Sequence, residues 1–255
     1  MPTFEEELAR FTPQIERVVR FALFPKRVVS RGGGNVPESG PVLLIGNHCG
    51  AIKDPAALYR AVSRPLFFNA NRMLFNRADV DFLIRKHLRR HFKGFGLALD
   101  RMLGPLKAMF VKFVSANIGR LGAIPADMYD QSNQAAIGLF MEYLRAGRAV
   151  VSMQGRGRVH PDDPNPYVRT FGRGVPFIAF RMKDEEGMDI PVVPFSIFGT
   201  QRAWGIPGKI RVNIDPPLFI RDYEAGDKDA TIERFRAALQ ASVERLLVES
   251  IRNPF

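Results

Sequence analysis

The chain predicts an α/β fold: a mostly parallel central sheet flanked by helices, with an N-terminal amphipathic helix. Three observations predict it. Short apolar runs such as Val42-Leu43-Leu44-Ile45 have the length of buried strands. Longer stretches between them carry apolar residues at helical spacing. The two kinds alternate along the chain, the order in which parallel strands need crossover helices. The 255 residues suffice for one domain with a substantial core. A hydrophobic share of 46% and a charged share of 25% are those of a globular protein, not a disordered one.

The elements follow in order. Residues 4–24 place Phe4, Leu8, Phe11, Ile15, Val18, Val19 and Ala22 on one helical stripe. Pro13 is expected to divide this segment, with Thr12 capping a second helix. Phe21, Leu23 and Phe24 broaden the greasy face, and Lys26 and Arg27 follow. A membrane-surface helix and a helix packed on its own domain both fit this pattern. Residues 1–30 therefore read as a segment of their own, with the α/β domain from 31 to 255. Gly32-Gly33-Gly34 lacks the Gly-Lys-Ser/Thr of a phosphate loop and reads as a flexible connector. Val42–Ile45 is a strand and 56–62 a helix. A strand is expected at 64–70, helices over 80–116, a strand at 119–124 and a helix at 131–146 ending at Gly147. Strands at 148–153, 190–198 and 209–214 and a closing helix at 231–251 complete the chain. That last helix puts Ile232, Phe235, Leu239, Val243 and Leu246 on one face.

Composition narrows the function classes. No apolar run reaches the roughly 18 to 20 residues that span a bilayer. Glu5-Glu6-Glu7 stands where a signal peptide needs a basic region. A single cysteine makes no internal disulfide, which points to a reducing cytosol. The net charge of +11 fits an anionic membrane surface, an acidic carrier protein, a phosphorylated thioester such as acyl-CoA, or nucleic acid. Nucleic acid is the weakest of these. No zinc-finger, RRM or KH pattern is present, and the basic residues alternate with aliphatics and Phe rather than with a Tyr/Trp stacking platform. Between Phe82 and Leu99 there are Arg85, Lys86, Arg89, Arg90 and Lys93 with no acidic residue, either a solvated helix face or an anion-facing patch. His87 and His91 are four apart, but no Glu follows His87 as a metalloprotease helix requires, so no metal site is assigned.

Chemistry concentrates in Gly46-Asn47-His48-Cys49-Gly50-Ala51-Ile52-Lys53-Asp54-Pro55. A histidine stands where a buried strand ends. A carboxylate stands at the mouth of the next helix, with Asp54 expected as N-cap and Pro55 at the first helical position. A carboxylate that orients an imidazole makes it a general base for an alcohol. Helix capping alone would also account for Asp54-Pro55. Cys49 is an improbable partner for His48, because neighbours on an extended backbone point to opposite sides.

Four blocks in register resemble the 1-acylglycerol-3-phosphate acyltransferase (PlsC-like) family. They are Asn47-His48 with Asp54; Leu121-Gly122-Ala123-Ile124-Pro125-Ala126-Asp127; Val150-Val151-Ser152-Met153-Gln154-Gly155-Arg156-Gly157-Arg158 with Phe171-Gly172-Arg173-Gly174-Val175; and Ile190-Pro191-Val192-Val193-Pro194-Phe195. The resemblance runs from about Val42 to Leu218. It implies a glycerolipid acyltransferase-like fold and transfer of a fatty acyl group from acyl-CoA or acyl carrier protein to the hydroxyl of a lysophospholipid or related lipid, at the cytoplasmic membrane face. In that resemblance His48 is the base, Asp54 fixes its tautomer, and no cofactor is needed. Backbone N–H groups near the start of the following helix are the expected oxyanion donors. Asn47, Gln154, Gly155, Arg156, Arg158 and Arg173 are the expected substrate-binding residues.

Departures from the family pattern keep a second possibility open, an acyl- or lipid-binding protein of this fold without turnover. Five residues separate His48 from Asp54 where the family has four. Met128 stands where the second block ends in Arg, and Gln154-Gly155-Arg156-Gly157 replaces Glu-Gly-Thr-Arg. Methionine cannot replace a bidentate guanidinium. The positive charge for an acceptor phosphate then falls to Arg156, Arg158, Arg169 or Arg173.

Overall fold

Helix α1 (Phe4–Leu23) leads into strand β1 (Lys26–Arg31), and β2 (Val42–His48) is followed by α2 (Lys53–Ala61) and β3 (Leu66–Asn71). Three helices come next, α3 (Arg77–His91), α4 (Gly96–Met102) and α5 (Gly104–Asn117), then the short β4 (Ile124–Ala126). The chain closes with α6 (Gln134–Arg145), β5 (Ala149–Gly155), α7 (Gly174–Glu186), β6 (Val192–Phe198), β7 (Gly208–Ile214) and α8 (Lys228–Arg252). This computed structural model describes residues 4–91, 95–119, 122–126, 134–155, 157, 159 and 165–252.

Contacts divide the chain into two units: Thr12–Phe68 with Ile137–Phe255, and Met1–Phe11 with Asn69–Ala136. In the larger unit the strand order is β1-β7-β6-β2-β5-β3, parallel throughout except for the β6–β7 pair. Leu66–Phe68 of β3 pairs with β5, whereas Asn69–Asn71 pairs with Ile124–Ala126 of β4 in the smaller unit. The mostly parallel α/β architecture is the one predicted.

Strand β2 is central because both its faces are covered. Val42, Leu43, Leu44 and Ile45 are all fully buried, as a parallel strand with helices on either side requires. Val42 and Leu44 face a core with Val19, Ala22 and Leu23 of α1, Ala57 and Leu58 of α2, and Val151, Phe195 and Ile210 of the sheet. Helix α8 packs against β6 and β7. It buries Ile232, Phe235, Leu239, Val243 and Leu246, the predicted face.

The structure differs from expectation at five places. Helix α1 runs unbroken through Pro13, so Thr12 starts no second helix. Residues 26–31, expected up to residue 30 within the N-terminal helical segment, form an edge strand paired with β7. The glycine run is built in rather than loose. Gly32 has φ +74, and a Cβ there would lie 2.0 Å from the Ile214 carbonyl oxygen. The strand expected over 119–124 shrinks to Ile124–Ala126. Helix α7 was not foreseen; its buried residues include Val175, Pro176, Ile178, Ala179 and Met182.

In the smaller unit, Lys107 of α5 bridges Asp81 of α3 and Asp100 of α4. Of the basic stretch from Phe82 to Leu99, Arg85 pairs with Asp81. Lys93 and the side chains of His87, Arg89, Arg90 and His91 lie outside the described residues. No helix among the described residues is long and apolar enough to cross a membrane.

Candidate active site

The last residue of β2 is His48, in register with Gly155 of β5, while Asn47 stands opposite Gln154. The chain then turns through Cys49–Ile52, with Ala51 in the left-handed region at φ 50. No room is left for a side chain at Gly50, where a Cβ would lie 2.2 Å from Thr200 Cβ and 2.8 Å from Asp54 Oδ1.

Asp54 is not the N-cap. That position belongs to Ile52, and Asp54 stands inside the first turn of α2 with its carboxylate turned back toward the strand. Its Oδ2 accepts from the Cys49 N–H at 2.9 Å and the Gly50 N–H at 2.7 Å, and lies 2.8 Å from His48 Nδ1. An ionised carboxylate only accepts, so Nδ1 carries the proton and donates it to Asp54. Nε2 is then the unprotonated nitrogen of the neutral ring. The His48 side chain is 24% exposed and that of Asp54 0%. The imidazole is open and the carboxylate beside it sealed. The five-residue spacing closes this pair without loss of contact.

Four N–H groups near the start of α2, where oxyanion donors are expected, are already bound within the turn. The N–H groups of Cys49 and Gly50 bind Asp54, that of Lys53 donates to the Gly50 carbonyl, and that of Asp54 to Ala51.

Asn47, expected to touch substrate, is fully buried. Its Oδ1 accepts from the Ile197 N–H at 2.8 Å, and its Nδ2 donates to the carbonyls of Ile197 at 2.9 Å and Tyr167 at 3.2 Å. It is a strut that ties the end of β2 to β6 and to the loop before α7.

Cys49 is buried beside His48 but faces away, with Sγ 3.6 Å from Thr200 Oγ1 and 3.8 Å from the Ile197 carbonyl. Burial first, and then the charge of Asp54, push the thiol up to about 12. At pH 8 about one thiol in ten thousand is ionised. Thiol reagents at pH 8 are therefore expected to leave the native protein unmodified and to label Cys49 only after denaturation. Labelling of the folded protein at the rate of a free thiol would contradict this burial.

No model of a known protein family matches the chain. No curated protein matches its sequence. Among solved structures, the 1-acyl-sn-glycerophosphate (LPA) acyltransferase PlsC from Thermotoga maritima superposes with a TM-score of 0.57. The match covers 99% of this chain and 85% of that one, at 18% sequence identity. The fold is that of PlsC.

On this PlsC fold the remaining candidates have unequal fates. Gln154 was expected at the substrate, yet both ends of its amide bind protein: Nε2 donates to Ser152 Oγ at 2.9 Å, and Oε1 accepts from the Gly172 N–H at 3.1 Å. It braces the end of β5 against the loop entering α7. Gly155 packs on the histidine backbone, where a Cβ would lie 2.6 Å from the His48 carbonyl oxygen. Arg173 is exposed and ion-paired with Asp229 in the first turn of α8, so its charge already has a partner. Arg156 and Arg158 lie outside the described residues, as do Leu121, Asp127 and Met128.

The residue that sequence reasoning missed is Gly157. A Cβ there would stand 2.9 Å from His48 Nε2 and 3.5 Å from Ala51 Cα. The signal was present in the alternating Gly and Arg after β5. The glycine leaves open space beside the His48 ring.

Among the described residues no three of His, Cys, Asp and Glu gather to hold a metal ion.

Proposed function

We propose that this protein is an acyltransferase. It moves a fatty acyl group from a thioester, acyl-CoA or acyl carrier protein, to the hydroxyl of a lysophospholipid or related lipid. It works peripherally at the cytoplasmic membrane face. His48 Nε2 takes the hydroxyl proton as the oxygen attacks the thioester carbonyl. Asp54 holds the ring through Nδ1–H and offsets the imidazolium charge that forms. Collapse of the tetrahedral intermediate breaks the carbon–sulfur bond, and the thiolate leaves with the proton returned from Nε2. The observation that carries the reading is the 2.8 Å contact from His48 Nδ1 to a carboxylate with no solvent exposure, the ring itself being open.

The test is thiol release from acyl-CoA and acyl carrier protein over a panel of lysolipids, with His48→Ala as control. Acceptor-dependent release that vanishes in the variant supports the reading. Release unaffected by His48→Ala overturns His48 as the base, and no release with any acceptor overturns acyl transfer and leaves a binding protein of this fold.

A further inference from the structure

A rigid greasy surface lies beside the catalytic loop, in the larger unit. The loop between β6 and β7 exposes Trp204 and Ile206, each at 52%. Trp204 stacks at 5.2 Å on Phe21 and 6.0 Å on Phe24, themselves 68% and 59% exposed. Its indole Nε1–H donates to the Phe21 carbonyl at 2.8 Å, which ties the loop to the end of α1. Apolar rings of this size in mutual contact at the surface mark an interaction site rather than scattered exposure.

Two lysines lock the loop. The buried Lys26 ammonium donates to the carbonyls of Ala203 at 2.7 Å and Ile206 at 2.6 Å. Lys53 donates to the Arg202 carbonyl at 2.5 Å. Burial holds both ammonium groups below their usual range, helped by the Arg202 charge at Lys26 and by the Lys26 charge at Lys53. Lys53 immediately precedes Asp54, and Ile52, also exposed, precedes Lys53. The aromatic loop and the loop that holds the base are thus fastened to one another. A loop fixed in this way holds Trp204 and Ile206 out in water, where an apolar partner would cover them.

The surrounding charge selects the cover. Arg17 lies one helical turn before Phe21 on the same face of α1, and Arg20, Arg27 and Arg202 are also exposed. None of these four guanidinium groups is ion-paired with a described residue. Indole and phenyl rings flanked by cations match the lipid headgroup boundary, where aromatics sit at the interface and Arg meets lipid phosphate.

We propose that the Phe21–Phe24–Trp204–Ile206 surface docks onto an anionic bilayer, inserting Trp204 and Ile206 and setting the His48 loop against the membrane. This deepens the membrane placement proposed above and rests on that placement, not on the acyl chemistry.

Trp204 is the single tryptophan of the chain, so its fluorescence reports the surface directly. Vesicles of mixed zwitterionic and anionic lipid are expected to shift its emission to the blue, and brominated acyl chains to quench it. Phe21→Ser with Ile206→Ser weakens vesicle binding by roughly tenfold or more, with circular dichroism showing an intact fold. Arg17→Gln with Arg20→Gln removes the preference for anionic over zwitterionic vesicles. His48→Ala leaves the shift unchanged, which separates docking from catalysis. Protein that sediments with vesicles without a change in Trp204 emission overturns this surface while sparing the membrane placement. Absence of both sedimentation and shift overturns both. A shift caused by acyl carrier protein and not by vesicles overturns the bilayer in favour of a protein partner.

Discussion

Asp54→Asn is expected to lower acyl transfer by about a hundred- to ten-thousand-fold while the chain still folds. The substitution conserves shape and removes charge. With the amide oxygen at the Oδ2 position it still accepts from Cys49, Gly50 and His48, but the imidazolium formed during attack has lost its counter-charge. The NH2 group then falls at the Oδ1 position, which is buried and lacks a hydrogen-bond partner. A donor left there unpaired costs about 1–3 kcal/mol, a modest drop in Tm for a chain of this size. With the amide reversed, NH2 would face three N–H donors, which is worse. Thiol release at saturating donor gives kcat, and a thermal melt gives stability. A near-wild-type kcat with a lowered Tm would reduce Asp54 to a loop brace and remove His48 as the oriented base.

The aspartate also shows why part of the site could be read from sequence and part could not. That a histidine would end a buried strand followed from four apolar residues in a row and an Asp-Pro after the turn. The sense of the carboxylate did not follow. Asp before Pro is the pattern of an N-cap, and here the side chain instead collects two N–H groups from the turn behind it. The protein contacts of Asn47 and Gln154 escaped the sequence for a related reason. Polar residues next to a catalytic histidine invite a substrate role, whereas burial obliges them to satisfy strand ends and loop N–H groups. Only three-dimensional neighbours, 150 positions away for Asn47 and Ile197, reveal this.

Fold errors have equally local causes. Lys26 and Arg27 after a greasy helix resemble headgroup cations. Yet Lys26 is buried in the edge strand, its ammonium satisfied by carbonyls about 180 positions on. Helix α7 carries apolar residues on several sides and polar ones only near its end, so it lacks the one-sided stripe that identified α8. Strands β2, β5 and β6 were legible because a parallel sheet covered on both faces needs continuous apolar runs, which the edge strand β1 and the three-residue β4 lack.

Gly157→Ala is expected to abolish turnover as fully as loss of the base, about a hundred- to ten-thousand-fold, at little expense in stability. An acceptor oxygen must come within about 2.6–3.2 Å of Nε2 to surrender its proton. A methyl group at this position would lie 2.9 Å from that nitrogen, within the same shell. The backbone penalty is small by comparison, since a non-glycine residue at φ +68 costs about 1–2 kcal/mol. The substitution therefore separates access from folding: kcat collapses, the melt moves by a few degrees, and thioester binding persists. Unchanged turnover in Gly157→Ala would mean that the hydroxyl reaches His48 from another side.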